Sequence, residues 1–196
     1  MDTAAHEVLD FWFGLDTQAD HDQPRPQWFK KDPAFDAEIA RGFGPLIAQA
    51  LAGGLDHWLT RPLQPLPALA LVLVLDQFTR NTGRDTARAF AGDDQALQVA
   101  RALVASGADR ALTGVQRQFV YLPFEHAEDL AHQRTAVQLF QQLAADAPAL
   151  AGLADWAQRH HDIVARFGRF PHRNAALGRP STAEELAFLQ TPGSGF

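Results

Sequence analysis

Apolar residues return every three to four positions along most of this chain, the period of a helix that buries one face. Val8, Leu9, Trp12 and Phe13 lie on one side of an opening helix, and Gly14 is placed to stop it. A polar, Pro-containing loop follows, "LDTQADHDQPRPQW". Helical spacing resumes with Phe35, Ile39, Phe43, Leu46, Ile47 and Ala50. Asp32 can cap this second helix, Pro33 suits its first position, and Gly53-Gly54 ends it. Gly42 and Gly44-Pro45 are candidate kinks within it.

"LDHWLTRPLQPLP" predicts a short helical turn and a Pro-rich connection. The apolar run "ALALVLVL", residues 68–75, fits a buried strand or a buried helix equally by periodicity. Two features favour helix. Pro67 stands just before the run, and the pattern continues into polar pairs four apart, Asp76/Arg80 and Gln77/Asn81. A strand would also lack partners, because no other segment reads as one.

Further helices are predicted over residues 94–105, with Asp93 as cap and Gly107 as stop, over 114–124 with Thr113 as cap, and over 126–145. Pro123 is expected to break or kink the chain between the last two. "PALAGLADWAQRHHDIVARFG" reads as another, with Leu150, Leu153, Trp156, Ile163, Val164 and Phe167 inward. The last is "STAEELAFL", where Ser181 and Glu184 have capping-box spacing. The pattern therefore predicts one all-α domain over residues 1–196, of seven to nine helices, with an exposed tail at 191–196.

Composition narrows the function. The formal net charge of −6 and pI of about 5.7 lack the basic footprint of a duplex-DNA binder, so no nucleic-acid partner is expected. With no cysteine, disulfides, thiolate catalysis and Cys-based zinc sites are excluded. The start "MDTAAHEVLDFWFG" lacks the basic and apolar regions of a signal peptide. The longest apolar run is far short of the roughly 20 residues a membrane span needs. A soluble, cytoplasmic protein without a membrane partner is the expectation.

Three polar constellations stand out against this background. In "DQFTRN", Asp76 and Arg80 share a helix face, which suits an internal ion pair or a pocket where Asp76 orients the guanidinium. In "YLPFEHAEDL", Glu125, His126, Glu128 and Asp129 follow Pro123. They read as a solvated helix start, as a general acid/base carboxylate with its His, or as part of a metal site that His160, His161 and Asp162 would complete. The zinc-protease pattern HExxH is absent, and no metal ligand is assigned. In "RFGRFPHRNAALGR", Gly168, Pro171 and Gly178 force turns, and Arg166, Arg169, His172, Arg173 and Arg179 concentrate positive charge. Those basic residues either staple the segment to nearby acids or hold an anion.

The ordered set "VLDFWFG", "WFKKDPAFDAEI", "LDQFTRN", "ARAFAGD", "YLPFEHAEDL" and "ARFGRFPHRNAALGRPSTAEELAFL" resembles a bacterial family catalogued as domain of unknown function 924. The likeness runs from about Val8 to the tail. It implies an all-helical fold related to the tetratricopeptide-like superfamily, although no repeat is visible. It implies no established activity, cofactor or substrate. Its motifs fall on the same constellations: Asp76, Gln77, Arg80 and Asn81; Glu125, His126, Glu128 and Asp129; and Gly168 through Asn174. Two departures, Thr79 in place of Pro and "NTGRDT" at 81–86, bear on the local backbone path.

Three functions fit the residues. The first is a polar pocket for a small phosphate- or carboxylate-bearing anion, held by Arg80, Arg169, His172 and Arg173, with Asn81 and Asn174 hydrogen-bonding it and Asp76 and Gln77 beside it. The second is a helical scaffold for a peptide or protein partner. The third is a hydrolase using Glu125 or Asp129 with His126, with or without a metal. The cofactor is unknown. "DQFTRN" and "GRFPHRN" are expected to meet in space beside "EHAED", with Asp76, Glu125 and Asp129 as counter-charges and Phe78, Phe124 and Phe170 as the apolar wall.

Overall fold

In a computed structural model of the chain, residues 1–15, 17, 18, 21 and 23–195 are described. The regular elements among them are helical. These are α1 (Thr3–Phe13), α2 (Pro33–Leu51), α3 (Pro65–Val72), a π-helical stretch (Leu73–Phe78), α4 (Thr79–Thr82), α5 (Asp93–Ser106), α6 (Gly114–His126), α7 (Leu130–Asp146), α8 (Leu153–Phe167) and α9 (Ala183–Leu189). The α3, π and α4 segments run on without a break, so the described residues form eight continuous helices.

The ambiguous apolar run is thus helix. Residues from Ala68 to Phe78 are all buried, and the segment lies between α1, α5 and α6. A helix apolar all round must be covered on every side, which explains why its sequence lacks a clear stripe. Its last turns are wound as π-helix, and Thr79 Oγ1 hydrogen-bonds back to the carbonyls of Leu75 and Asp76 at 2.7 and 3.1 Å. Where the family resemblance suggests Pro, a hydroxyl therefore satisfies the carbonyls of this widened turn.

Beside it stands an aromatic cluster that ties α1, α2 and α6 together. Phe11 and Phe43 lie 5.0 Å apart, Phe43 and Phe78 4.9 Å, and Trp28 and Phe119 4.9 Å edge to face. Further along the chain α6, α7 and α8 pack as successive neighbours, compatible with tetratricopeptide-like pairing.

Several helix ends follow the expected chemistry. Asp32 caps α2 ahead of Pro33, and Thr113 caps α6 in a capping box with Gln116. Others differ. The last capping box uses Thr182 and Glu185, one residue beyond the expected pair. Pro123 sits inside α6, which continues to His126; the break comes at Ala127, and Asp129 caps α7 through the amides of Ala131 and His132. Trp156 is 48% exposed rather than inward, with Arg159 stacked over its ring. Of the tail, Ser194 is buried through a bond to the Leu189 carbonyl, while Thr191, Pro192, Gly193 and Gly195 are exposed. The expected exposure of Phe196, and part of the expected loop at residues 16, 19, 20 and 22, lie outside the described residues. No helix among the described residues is long and apolar enough to cross a membrane.

Gly42 lies exposed in α2, and a methyl group there would meet no other atom. Gly42→Ala is expected to raise stability by about 0.5–1 kcal/mol, read from the urea midpoint. A lowered midpoint would show that α2 needs the glycine.

Candidate functional site

The π-helical stretch buries Asp76 completely, and three groups converge on its carboxylate. Arg80 Nη1 lies 2.9 Å from Oδ1, one helical turn on. His126 Nδ1, at the end of α6, lies 2.7 Å from the same oxygen. Gln77 Nε2 donates to Oδ2 at 2.6 Å. Burial by itself would push this carboxyl up, but Arg80 and His126 more than offset it and hold it well below the usual carboxylate range. An ionised carboxylate only accepts hydrogen bonds, so the His126 proton sits on Nδ1. Burial, and then the Arg80 charge, lower the imidazole pKa. The ring is therefore neutral at pH 7 and presents Nε2 as an acceptor.

Arg80 continues the network to Asp93, the first residue of α5, with Nη1–Oδ1 2.9 Å and Nη2–Oδ2 3.1 Å. Asp93 in turn receives Arg173 Nη1 at 3.2 Å. "DQFTRN" and "GRFPHRN" thus meet on a shared carboxylate 80 residues upstream of Arg173. The Arg173 guanidinium is stacked between Phe90 and Phe170, whose ring centroids lie 4.7 and 4.6 Å from Cζ. Its side chain is 7% exposed, yet it makes one hydrogen bond among the described residues, and its buried Nε has no partner. Burial and the nearby Arg80 lower its pKa to about 10.

The segment bearing Arg173 is clamped from two sides. Glu128 accepts the Phe170 amide at 2.7 Å and both terminal nitrogens of Arg179. Glu185 accepts Arg169 Nε at 2.6 Å and Asn174 Nδ2 at 3.3 Å. The Arg169 hydrogen bond, joined by the Thr182 amide, holds the Glu185 carboxyl down at about 2. Close by, Glu125 pairs with His160 at 3.0 Å, and the His160 ring stands 6.4 Å from His126 and 5.6 Å from Phe170. His172 packs 5.6 Å from Phe170, and burial followed by the Arg173 charge brings its pKa to about 3.

Of the expected site residues, Asp76, Gln77, Arg80, His126 and Arg173 come together, with Glu125 and His172 adjacent. Arg169 and Asn174 belong to the Glu185 clamp. Asn81 bonds Asp36 at 2.7 Å, beside the Arg84–Asp36 ion pair. Asp129 serves as a cap, exposed, and His161 and Asp162 pair with each other on the surface. The counter-charge for Arg173 is Asp93 rather than Glu125 or Asp129, because Asp93 needs no capping role: the N-cap position is Gly92. Phe90 and Phe170 form the wall, whereas Phe78 belongs to the aromatic core. A shallow groove of about 380 Å³ lies elsewhere, lined by Ala50, Leu59, Leu71, Gln95 and Val99 among others. Among the described residues no group of three or more His, Asp or Glu is arranged to hold a metal ion.

A family model described as "Bacterial protein of unknown function (DUF924)" matches residues 8–193. A solved structure of a protein of unknown function from Agrobacterium tumefaciens is similar at 40% identity and a TM-score of 0.81, over 96% of this chain and 99% of that one. No curated protein matches the sequence.

Proposed function

The chain belongs to the DUF924 family of bacterial proteins, and from that premise we propose that the cluster around Arg173 binds a small anion bearing a carboxylate or phosphate group. Charge alone does not demand it, since Arg80 and Arg173 are matched by Asp76 and Asp93. The observation that carries the reading is the hydrogen bonding of Arg173. A guanidinium has five donors. Arg80 spends its own on two carboxylates and a carbonyl, whereas Arg173 is more deeply buried and spends one. Leaving buried donors unmade costs about 1–3 kcal/mol. Two aromatic faces hold the guanidinium plane fixed, which leaves its edge for a planar carboxylate or a phosphate.

Arg173→Met tests this. The flexible apolar side chain keeps the contact with Phe90 and Phe170, and Asp93 keeps Arg80. Replacing an under-satisfied buried cation by an apolar group is expected to leave stability within about 1 kcal/mol of the parent, or to raise it. Affinity for propionate and for inorganic phosphate, measured by titration calorimetry, is expected to fall at least about tenfold. A loss of more than about 2 kcal/mol of stability, with no anion binding in the parent protein, would make Arg173 a staple instead.

A further inference from the structure

His126 and Arg173 offer opposite chemistry within one network. His126 shares Asp76 with Arg80, and Arg80 shares Asp93 with Arg173. Around Arg173 the site donates hydrogen bonds. At His126 it accepts one: Nδ1 is committed to Asp76, and Nε2 makes no hydrogen bond among the described residues. The burial is graded. Asp76 is fully enclosed and Arg173 nearly so, while His126, Arg80 and Asp93 keep 14, 19 and 19% of side-chain exposure. The acceptor nitrogen therefore belongs to the more open part of the cluster and the underused guanidinium to its floor.

We infer that the ligand is an anion that also carries a hydroxyl group, a 2-hydroxy acid or a phosphorylated polyol, and that His126 selects it by accepting the hydroxyl proton at Nε2. This rests on the anion-binding reading above and adds a specificity residue to it. Three features support it together. Asp76 fixes the ring and its tautomer, so in the neutral imidazole Nδ1 is the donor and Nε2 the acceptor. Gln77 and Arg80 lock Asp76 in place, so the acceptor is preorganised. The charged groups facing the ring are Asp76, Arg80 and Asp93, with His160 beside it; burial, and then the Arg80 charge, outweigh the two carboxylates, disfavour an imidazolium and keep the lone pair available. A carboxylate or phosphate oxygen brought against Nε2 would meet lone pair with lone pair, and a methyl group there would leave the nitrogen unpaired. A hydroxyl satisfies it.

Matched pairs of ligands test the inference. Lactate and propionate differ by one hydroxyl on the same skeleton, as do 2-hydroxypropyl phosphate and propyl phosphate. Titration calorimetry at pH 7 is expected to give the hydroxylated member of at least one pair a preference of about five- to tenfold, the worth of one neutral hydrogen bond. His126→Phe is expected to abolish the preference without abolishing anion binding. His126→Gln, which restores an acceptor, is expected to recover part of it, and it keeps the test valid if the Phe variant folds poorly. Equal affinity within both pairs overturns the inference and leaves anion binding standing, as does a preference that survives in His126→Phe. Failure of all four ligands to bind the parent protein overturns both readings. The pair that shows the preference separates carboxylate from phosphate.

Discussion

Asp76→Ala is expected to remove about 3–5 kcal/mol of stability, because it strips a fully buried carboxylate from beneath a buried guanidinium. Arg80 would keep Asp93 and the Asp76 carbonyl, but the Asp76 side chain also orients His126 and Gln77. Three polar side chains would lose a partner at once, around a position that is itself fully enclosed. Denaturant unfolding measures the loss. A change below about 1 kcal/mol would mean that water or a shift of Arg80 replaces the carboxylate without penalty. The pH dependence has a defined sign. A carboxyl whose folded pKa lies below its unfolded value of about 4 stabilises the fold above that value. The contribution is full at neutral pH and is lost as the pH falls through the lower folded value. The parent protein should thus lose stability in the acid range more steeply than Asp76→Ala, and the two curves should converge as the pH drops.

Gly92→Ala is expected to cost about 3 kcal/mol, at the upper end for an overpacked site. The backbone angles of Gly92, φ −99° and ψ −2°, suit any residue, so conformational strain is not the reason. The reason is contact. A methyl group at Gly92 would run into the carbonyl oxygen of Leu75, with the Leu75 carbon and Cα behind it. Those are backbone atoms, and no side chain can swing away to make room. Leu75 precedes Asp76, and Gly92 precedes Asp93. The close approach of the two backbones sets the spacing that Arg80 bridges with bonds of 2.9 and 3.1 Å. Propionate affinity is accordingly expected to fall along with the melting temperature in this variant. Stability equal to the parent, with affinity intact, would show that α5 slides freely against the π-helical stretch.

Much of this architecture was readable from spacing and local chemistry, because helices declare themselves within a few residues. Asp32-Pro33 and Thr113 mark helix starts through bonds to amides two or three positions away. The helical reading of residues 68–75 followed from what flanked them. Winding was not readable: α- and π-turns place apolar residues in the same buried surroundings, and only the partners of Asp76 make the difference matter. The partners themselves were half legible. Arg80 lies four residues from Asp76, a spacing a sequence exposes. His126 lies 50 residues away and Asp93 lies 80 from Arg173, separations set by how whole helices pack. Asp93 was read as a cap because an acid at a helix start usually is one. The segment "ARAFAGD" holds Phe90, Gly92 and Asp93 together and supported the family resemblance, yet it suggested no chemistry by itself. Trp156 misled for the opposite reason, since an aromatic at helical spacing usually points inward, but Arg159 stacks over this one at the surface.

The pairing of Arg173 with Asp93 also fixes an order of events in time. A ribosome adds about 5–20 residues each second, so the 80 positions between the two take roughly 4–16 s to make. During that interval the nascent chain already holds Asp76, Arg80 and Asp93, a set with one charge too many on the acidic side. Phe90 faces Arg80 at 5.9 Å but not yet Arg173, Asp93 holds one arginine of its two, and Glu128, once made, waits for Arg179. The floor of the site comes late, as a wedge of aromatic-flanked positive charge set against helices α1 to α8, which precede it, and is clamped afterwards by Glu185 of α9.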